Sequence, residues 1–192
     1  MKVAFYGVVR HVGTSANMAV VAAGLTYYFK IPAVIGHAPV VLDKAAWEKE
    51  PVFLTDCSPP GYTEESRMEL IESCDLLVLN VSLPYQELED IYVRYSLVRK
   101  NVIFLIGKYY QDKSHELKGL ARQLRVSAGR ISAIPYHPAF EAAYVRQEVS
   151  GYIKRLAEGK NSFLDLQFEN QLKHALHTVM TYGKRKGELF YG

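Results

Sequence analysis

The residues between Gly7 and Ala19, GVVRHVGTSANMA, have types and spacing that suit an anion. Glycines at 7 and 13 precede Thr14 and Ser15, which open a helical segment. A strand running through such a turn into a helix aims several backbone N–H groups at one point, and the helix dipole adds to their field. A second stretch, TDCSPPGY, sets Asp56 directly after an apolar strand, where a carboxylate can order Mg²⁺ or a metal-bound water beside phosphates. The SPPG segment behind it forms a stiff loop with a free amide at Gly61, suited to sensing a terminal phosphate. Each stretch also has a plainer reading. Gly13 could relieve a tight turn while Ser15 caps the helix, and Asp56 could be a cap before an ordinary Pro-Gly turn. The two loops in this order favour the anion reading over either loop alone.

The lysine is missing. No lysine occurs between Lys2 and Lys30. Removing a positioned cation from phosphoryl transfer costs ~10³-fold or more in rate. Amides and Mg²⁺ can hold an anion without it, so weak binding without efficient hydrolysis is the expectation.

Positioning these loops requires strands that end beneath them. Lys2–Val9 reads as a buried strand, with Val3, Ala4, Phe5, Val8 and Val9 apolar on both faces. A helix follows from Ser15 to Phe29, stopped by Ile31-Pro32. Ala33–Val41 is expected as one strand, and LDKAAWEKE as a short helix or loop. Val52–Thr55 is the next strand, and Thr63 or Ser66 caps a helix reaching Glu72. Asp75–Ser82 is a buried strand, followed by an amphipathic helix carrying Leu88, Ile91, Tyr95 and Val98. NVIFLIGKYY is a strand, SHELKGLARQLRV a helix, RISAIPYHP a strand leading into a loop, and FEAAYVRQEVSGYIKRLAEG a helix. This alternation predicts a three-layer α/β domain, a mainly parallel twisted sheet with helices on both faces. Such sheets bind ligands beyond the carboxyl ends of their strands.

On these residues the chain resembles the ParA/MinD group of P-loop ATPases, whose phosphate loop has the form KGGxGK[ST]. Arg10-His11-Val12-Gly13-Thr14-Ser15 occupies the GGxGK[ST] positions, with Val9 at the signature lysine and Thr14 at the lysine that reaches the β/γ-phosphates. Ala16-Asn17-Met18-Ala19, FLTDCSPPGY, SCDLLVLNVS and IPYHPAFEAAYVRQEV are similar to later segments of the family in the same order, with one extra residue before Gly61. The lysine-poor loop and the Pro135-Tyr136 segment look most like the TadZ/CpaE branch. The resemblance implies a P-loop NTPase-like fold that takes ATP or ADP with Mg²⁺. Residues Arg10, His11, Val12, Gly13, Thr14 and Ser15 would cradle phosphates, Ser15 and Asp56 would flank the metal, and Gly61 would read the γ-phosphate. The Gly107-Lys108-Tyr109 strand end and the Pro135-Tyr136 loop stand where the family holds the base, and the plainer reading of Tyr109 and Tyr136 is a surface tyrosine. It further implies a localisation or assembly factor for a partner such as pilus or secretion machinery, acting as a homodimer or on a protein assembly. Two alternatives are a slow ATPase with a substitute cation from Arg10 or another subunit, and a ligand-free interaction module.

Composition limits the rest. With 192 residues, 49% hydrophobic and 22% charged, the chain is an ordinary soluble globular type. A formal charge of +3 carries no specific nucleic-acid signal. Cys57 and Cys74 read as reduced, buried thiols, and the six histidines show no zinc spacing. No secretory signal or membrane-length apolar run is evident, so a cytoplasmic location is expected, with any inner-membrane contact made through a partner. Residues 1–160 form the P-loop-like domain in this reading, and 161–192 a C-terminal amphipathic helix and basic tail. Phe168, Leu172, Ala175, Leu176 and Val179 share one stripe of that helix. Lys173, His174 and His177 give it only a weak basic face. Packing on the domain or a partner is therefore favoured over membrane contact.

Overall fold

The structure is a computed structural model that describes residues 1–7, 12–36, 38–39, 49–82, 93, 101–109, 114–159 and 161–184. The strands are β1 (Lys2–Gly7), β2 (Ala33–Ile35), β3 (Ala38–Pro39), β4 (Val52–Asp56), β5 (Leu76–Val81), β6 (Asn101–Tyr109) and β7 (Ile131–Pro135). The helices are α1 (Thr14–Phe29), α2 (Glu64–Glu72), α3 (Ser114–Gln123), α4 (Pro138–Val145), α5 (Val149–Ala157) and α6 (Phe163–Gly183). The strands form one seven-stranded sheet in the order β3-β2-β4-β1-β5-β6-β7. Every pairing is parallel except the short edge pair β2–β3.

Strand β1 lies between β4 and β5, which explains why it is apolar on both faces. Val3 and Phe5 enter one core with α1, α5 and α6, while Ala4 enters a second core with Ile71 of α2 and Leu120 of α3. Two cores on opposite faces of one sheet make the three-layer α/β arrangement expected from the alternation. Cys57 and Cys74 form no disulfide and are buried in the second core. Burial pushes the Cys57 thiol up to about 12, so it is protonated and serves as a small apolar residue.

Helix α1 is buried continuously from Val20 to Leu25 because it is covered by the sheet on one side and by α5 and α6 on the other. Helix α6 starts with a capping box, in which Ser162 and Asp165 satisfy each other's backbone N–H groups. Its stripe of Phe168, Leu172, Ala175, Leu176 and Val179 is buried to 1% exposure or less against β5, β6, β7 and α1. The apolar face therefore belongs to the core of the sheet. Among the described residues, no helix is long and apolar enough to cross a membrane.

Two expectations need correction. Ala33–Val41 is not one strand: β2 ends at Ile35, turns at Gly36 and returns as the antiparallel β3. The helix expected over Phe140–Gly159 is two helices, α4 and α5. The break is closed by Gln147 N–H donating to Tyr144 O and Glu148 N–H to Ala143 O, with Gln147 at φ 61°. That is the left-handed C-terminal turn usually given to glycine, so the composition held no stop signal. Strand β1 is described as far as Gly7. Val8, Val9, Arg10 and His11, the segment around Trp47, and the expected helix with Leu88, Ile91, Tyr95 and Val98 lie outside the described residues.

Candidate functional site

The site begins where β1 stops. The Gly7 N–H donates to Ser58 Oγ at 2.8 Å, joining the ends of the neighbouring strands β1 and β4. A Cβ on Gly7 would strike Thr14 Oγ1 and come within 3.1 Å of Val12 Cγ2, so only glycine fits under the loop. Gly13 then takes the N-cap of α1 in the left-handed region, at φ 77° and ψ 28°. No side-chain hydrogen bond closes that cap, and the first intrahelical bond is Asn17 N–H to Gly13 O at 2.8 Å. The amides of Thr14, Ser15 and Ala16 precede that bond. They are donors that an α-helix leaves without intrahelical partners. Amides arranged in this way at a helix start suit an anion.

Thr14 and Ser15 diverge. Thr14 is buried, with its hydroxyl turned down over Gly7, so it does not reach outward as a phosphate-binding lysine would. Ser15 is exposed, and its hydroxyl donates to Asp56 Oδ2 at 2.8 Å. Asp56 is the last residue of β4, and its Oδ1 accepts the Ser58 N–H at 2.8 Å, which fixes the carboxylate's orientation. A hydroxyl and a carboxylate beside amides that lack intrahelical partners form a hard-oxygen donor set. This fits Mg²⁺, which favours one or two protein oxygens together with waters and substrate phosphates.

A buried amide pair holds this loop on the sheet. Asn17 Nδ2 donates to Asn80 Oδ1 at 3.0 Å, and Asn80 Nδ2 reaches Val78 O at 3.4 Å. Both side chains are almost fully buried. The lone asparagine in the apolar run LLVLNV was the available signal for this contact, and the sequence reading assigned it no role.

Beside the loop is a cavity of about 350 Å³. Val12, Gly13, Ala16 and Asn17 form its loop wall, and Pro135, Tyr136 and Phe140 face them, with Lys108 and Glu141 also lining it. The structure thus brings Pro135 and Tyr136 together with Val12 and Gly13. Ser15 and Asp56 stand at the same helix start but do not line the cavity. Gly61 is exposed in the loop before α2, where an added Cβ would meet nothing within 4 Å.

Tyr109 does not line the cavity either. It is 5% exposed and packed in the core on the face of α2 and α3. Gly107 faces the loop, since a Cβ there would lie 2.8 Å from Val12 O, and strict alternation would send Tyr109 the same way. A register shift between Ile106 and Tyr109, with Lys108 at φ 50°, breaks the alternation.

His137 anchors the far wall. It N-caps α4, with Nδ1 accepting the Ala139 N–H at 3.2 Å, and its Nε2 lies 3.5 Å from Asp165 Oδ1. Tyr152 OH stands 3.2 Å from the same Nδ1 and 3.4 Å from Asp165 Oδ1. Burial lowers the His137 pKa, against an opposing pull from Asp165, and Arg155 lowers it further. Burial would raise Asp165, yet hydrogen bonds from Ser162 hold its carboxyl below the usual value. Just below the unfolded histidine pKa of about 6.5, the unfolded chain binds more protons than the native one, so stability falls with falling pH. The expected result is a urea midpoint that declines between pH 7 and pH 5 in the wild type. The decline should be shallower in His137→Asn, which retains a capping side chain.

No protein-family profile matches the sequence, and no curated protein matches it. Among solved structures, the chain is similar to a Borrelia burgdorferi B31 protein assigned to plasmid partition and solved bound to AMPPNP. The TM-score is 0.56 at 10% identity, covering 94% of this chain and 98% of that one. At that identity the likeness is one of fold, and it extends over nearly all of both chains. The chain shares the three-layer α/β fold of that protein.

Proposed function

We propose that this protein is a ParA/MinD-like nucleotide-binding protein with a degenerate, lysine-free phosphate loop. It binds ATP or ADP weakly with Mg²⁺ and works as a localisation or assembly factor. The observation that carries the reading is the Ser15–Asp56 pair at the uncapped start of α1, next to a cavity large enough for a base. The AMPPNP in the structurally similar partition protein supports the choice of an adenine nucleotide. Gly13, Thr14 and Ser15 hold phosphates through backbone amides, and Pro135 and Tyr136 border the base. Ser15 and Asp56 would hold Mg²⁺, which neutralises phosphate charge when bound.

Turnover is not the purpose of such a site. Thr14 stands where a lysine would stabilise the transferring phosphoryl group, and its hydroxyl is turned inward. The work is instead done by a bound state, through a second copy or a partner assembly of the kind that TadZ/CpaE-like proteins place at a cell site. Cytoplasmic action, with membrane contact only through that partner, accords with an α6 whose apolar stripe is buried.

Calorimetric titration with Mg-ATP and Mg-ADP tests this reading. Saturable binding is expected in the wild type, weakened about tenfold or more by Asp56→Ala or by chelating Mg²⁺, as loss of a charge-assisted contact predicts. Phosphate release should stay at background. Absence of heat at millimolar nucleotide would refute the binding half, and turnover that rises with protein concentration would refute the non-hydrolytic half.

A further inference from the structure

We propose that Lys108 is the cation of this nucleotide site, supplying from the end of β6 the charge that residues 12–15 lack. The proposal rests on the nucleotide reading above and deepens it. Among the described residues lining the cavity, Lys108 is the one cation apart from histidine. Three independent features place it there.

The first is proximity to the loop. Gly107 has no side chain, and a Cβ in its place would sit 2.8 Å from the Val12 carbonyl and 2.8 Å from Asn17 Nδ2. The end of β6 is therefore packed directly on the anion loop, one residue before Lys108. The second is backbone direction. Alternation would put Lys108 on the face opposite Gly107, yet its φ of 50° and the register shift after Ile106 turn it into the cavity. Side chains other than glycine adopt that conformation rarely, and such residues concentrate at functional sites.

The third is the present partner. Lys108 Nζ lies 3.4 Å from Glu141 Oε1, and both side chains are about half exposed or more, at 64% and 47%. A solvent-exposed pair of this kind contributes little and exchanges readily. Glu141 lines the same cavity, so an incoming phosphate replaces a carboxylate with a better ligand for the ammonium group. Ile134 and Phe140 supply apolar wall for the remainder of the molecule. The ligand that fits has a flat, partly apolar end and an anionic end, with Lys108 contacting the anionic end and Glu141 opposing it.

Titrations of the full chain with Mg-ADP and with adenosine test the assignment. In Lys108→Met, affinity for ADP should fall about tenfold while that for adenosine stays within twofold, because only the anionic contact is lost. Glu141→Gln should bind ADP more tightly than the wild type. Raising salt should weaken ADP binding in the wild type more than in Lys108→Met. Lys108→Gly separates a ligand role from a structural one: glycine accepts positive φ without strain, so its melting temperature should rise while its ADP affinity falls as in Lys108→Met. ADP affinity within twofold of the wild type in both variants, or equal losses for ADP and adenosine, would overturn the assignment and leave the nucleotide reading standing. A wild type that binds no nucleotide would remove both.

Discussion

Replacing Phe168 with alanine is expected to destabilise the protein by about 3–5 kcal/mol, the range for truncating a buried aromatic residue. Phe168 is 1% exposed and lies where α4, α5 and α6 meet. Its ring centroid is 5.5 Å from His137, 5.3 Å from Phe140 and 5.8 Å from Tyr152. Aromatic contacts of that geometry add to the area term, and three would be lost together. Two of the three partners also line the cavity, so a collapse at position 168 loosens its floor. Urea unfolding provides the measurement. Phe163, on the same helix but 73% exposed, is the internal control: Phe163→Ala should change stability by no more than about 0.5 kcal/mol. Equal effects at 163 and 168 would mean that α6 does not pack as described.

Gly7→Val should have the largest effect on the site itself. Its side chain would meet Thr14 Oγ1, with Val12 Cγ2 at 3.1 Å and Ser58 Oγ at 3.3 Å from the first added carbon. All three belong to the loops that present the amides and Asp56. Overpacking of this kind costs about 1–3 kcal/mol where the surroundings cannot yield. The displaced loop should also lose at least about tenfold in nucleotide affinity, since misplaced donors forfeit charge-assisted contacts. Gly61→Ala is the comparison. A Cβ at 61 meets nothing within 4 Å and φ is not in the left-handed region, so both stability and affinity should stay near wild type. Calorimetry and thermal unfolding on the same samples read both quantities.

Much of the architecture was legible because it rests on local pattern. Leu76–Val81 is buried at every residue, as a run apolar on both faces requires, and Thr63 caps α2 by accepting the Ser66 N–H at 3.2 Å. What escaped depends on contacts between distant segments or on unusual backbone. The stripe of α6 announced an apolar face, but only the tertiary structure shows the sheet covering it. The α4–α5 break is made by a glutamine in a glycine-like conformation, and the inward turn of Tyr109 by an irregularity at Lys108. At the site, the order of the loops pointed to Ser15 and Asp56, 41 residues apart and hydrogen-bonded in the structure. The Asn17–Asn80 and Lys108–Glu141 contacts cross 63 and 33 residues and carry no local signature beyond a polar residue in an apolar run.

The central claim is that the start of α1 binds the phosphates of a nucleotide without a loop lysine. Amide chemical shifts recorded during titration with Mg-ADP test it most directly. The predicted result is that the backbone N–H resonances of Gly13, Thr14, Ser15 and Ala16 move first and furthest, saturably, with smaller changes at Lys108 and Tyr136. Resonances of residues 13–16 that stay fixed at millimolar Mg-ADP, or shifts confined to another part of the fold, would contradict it.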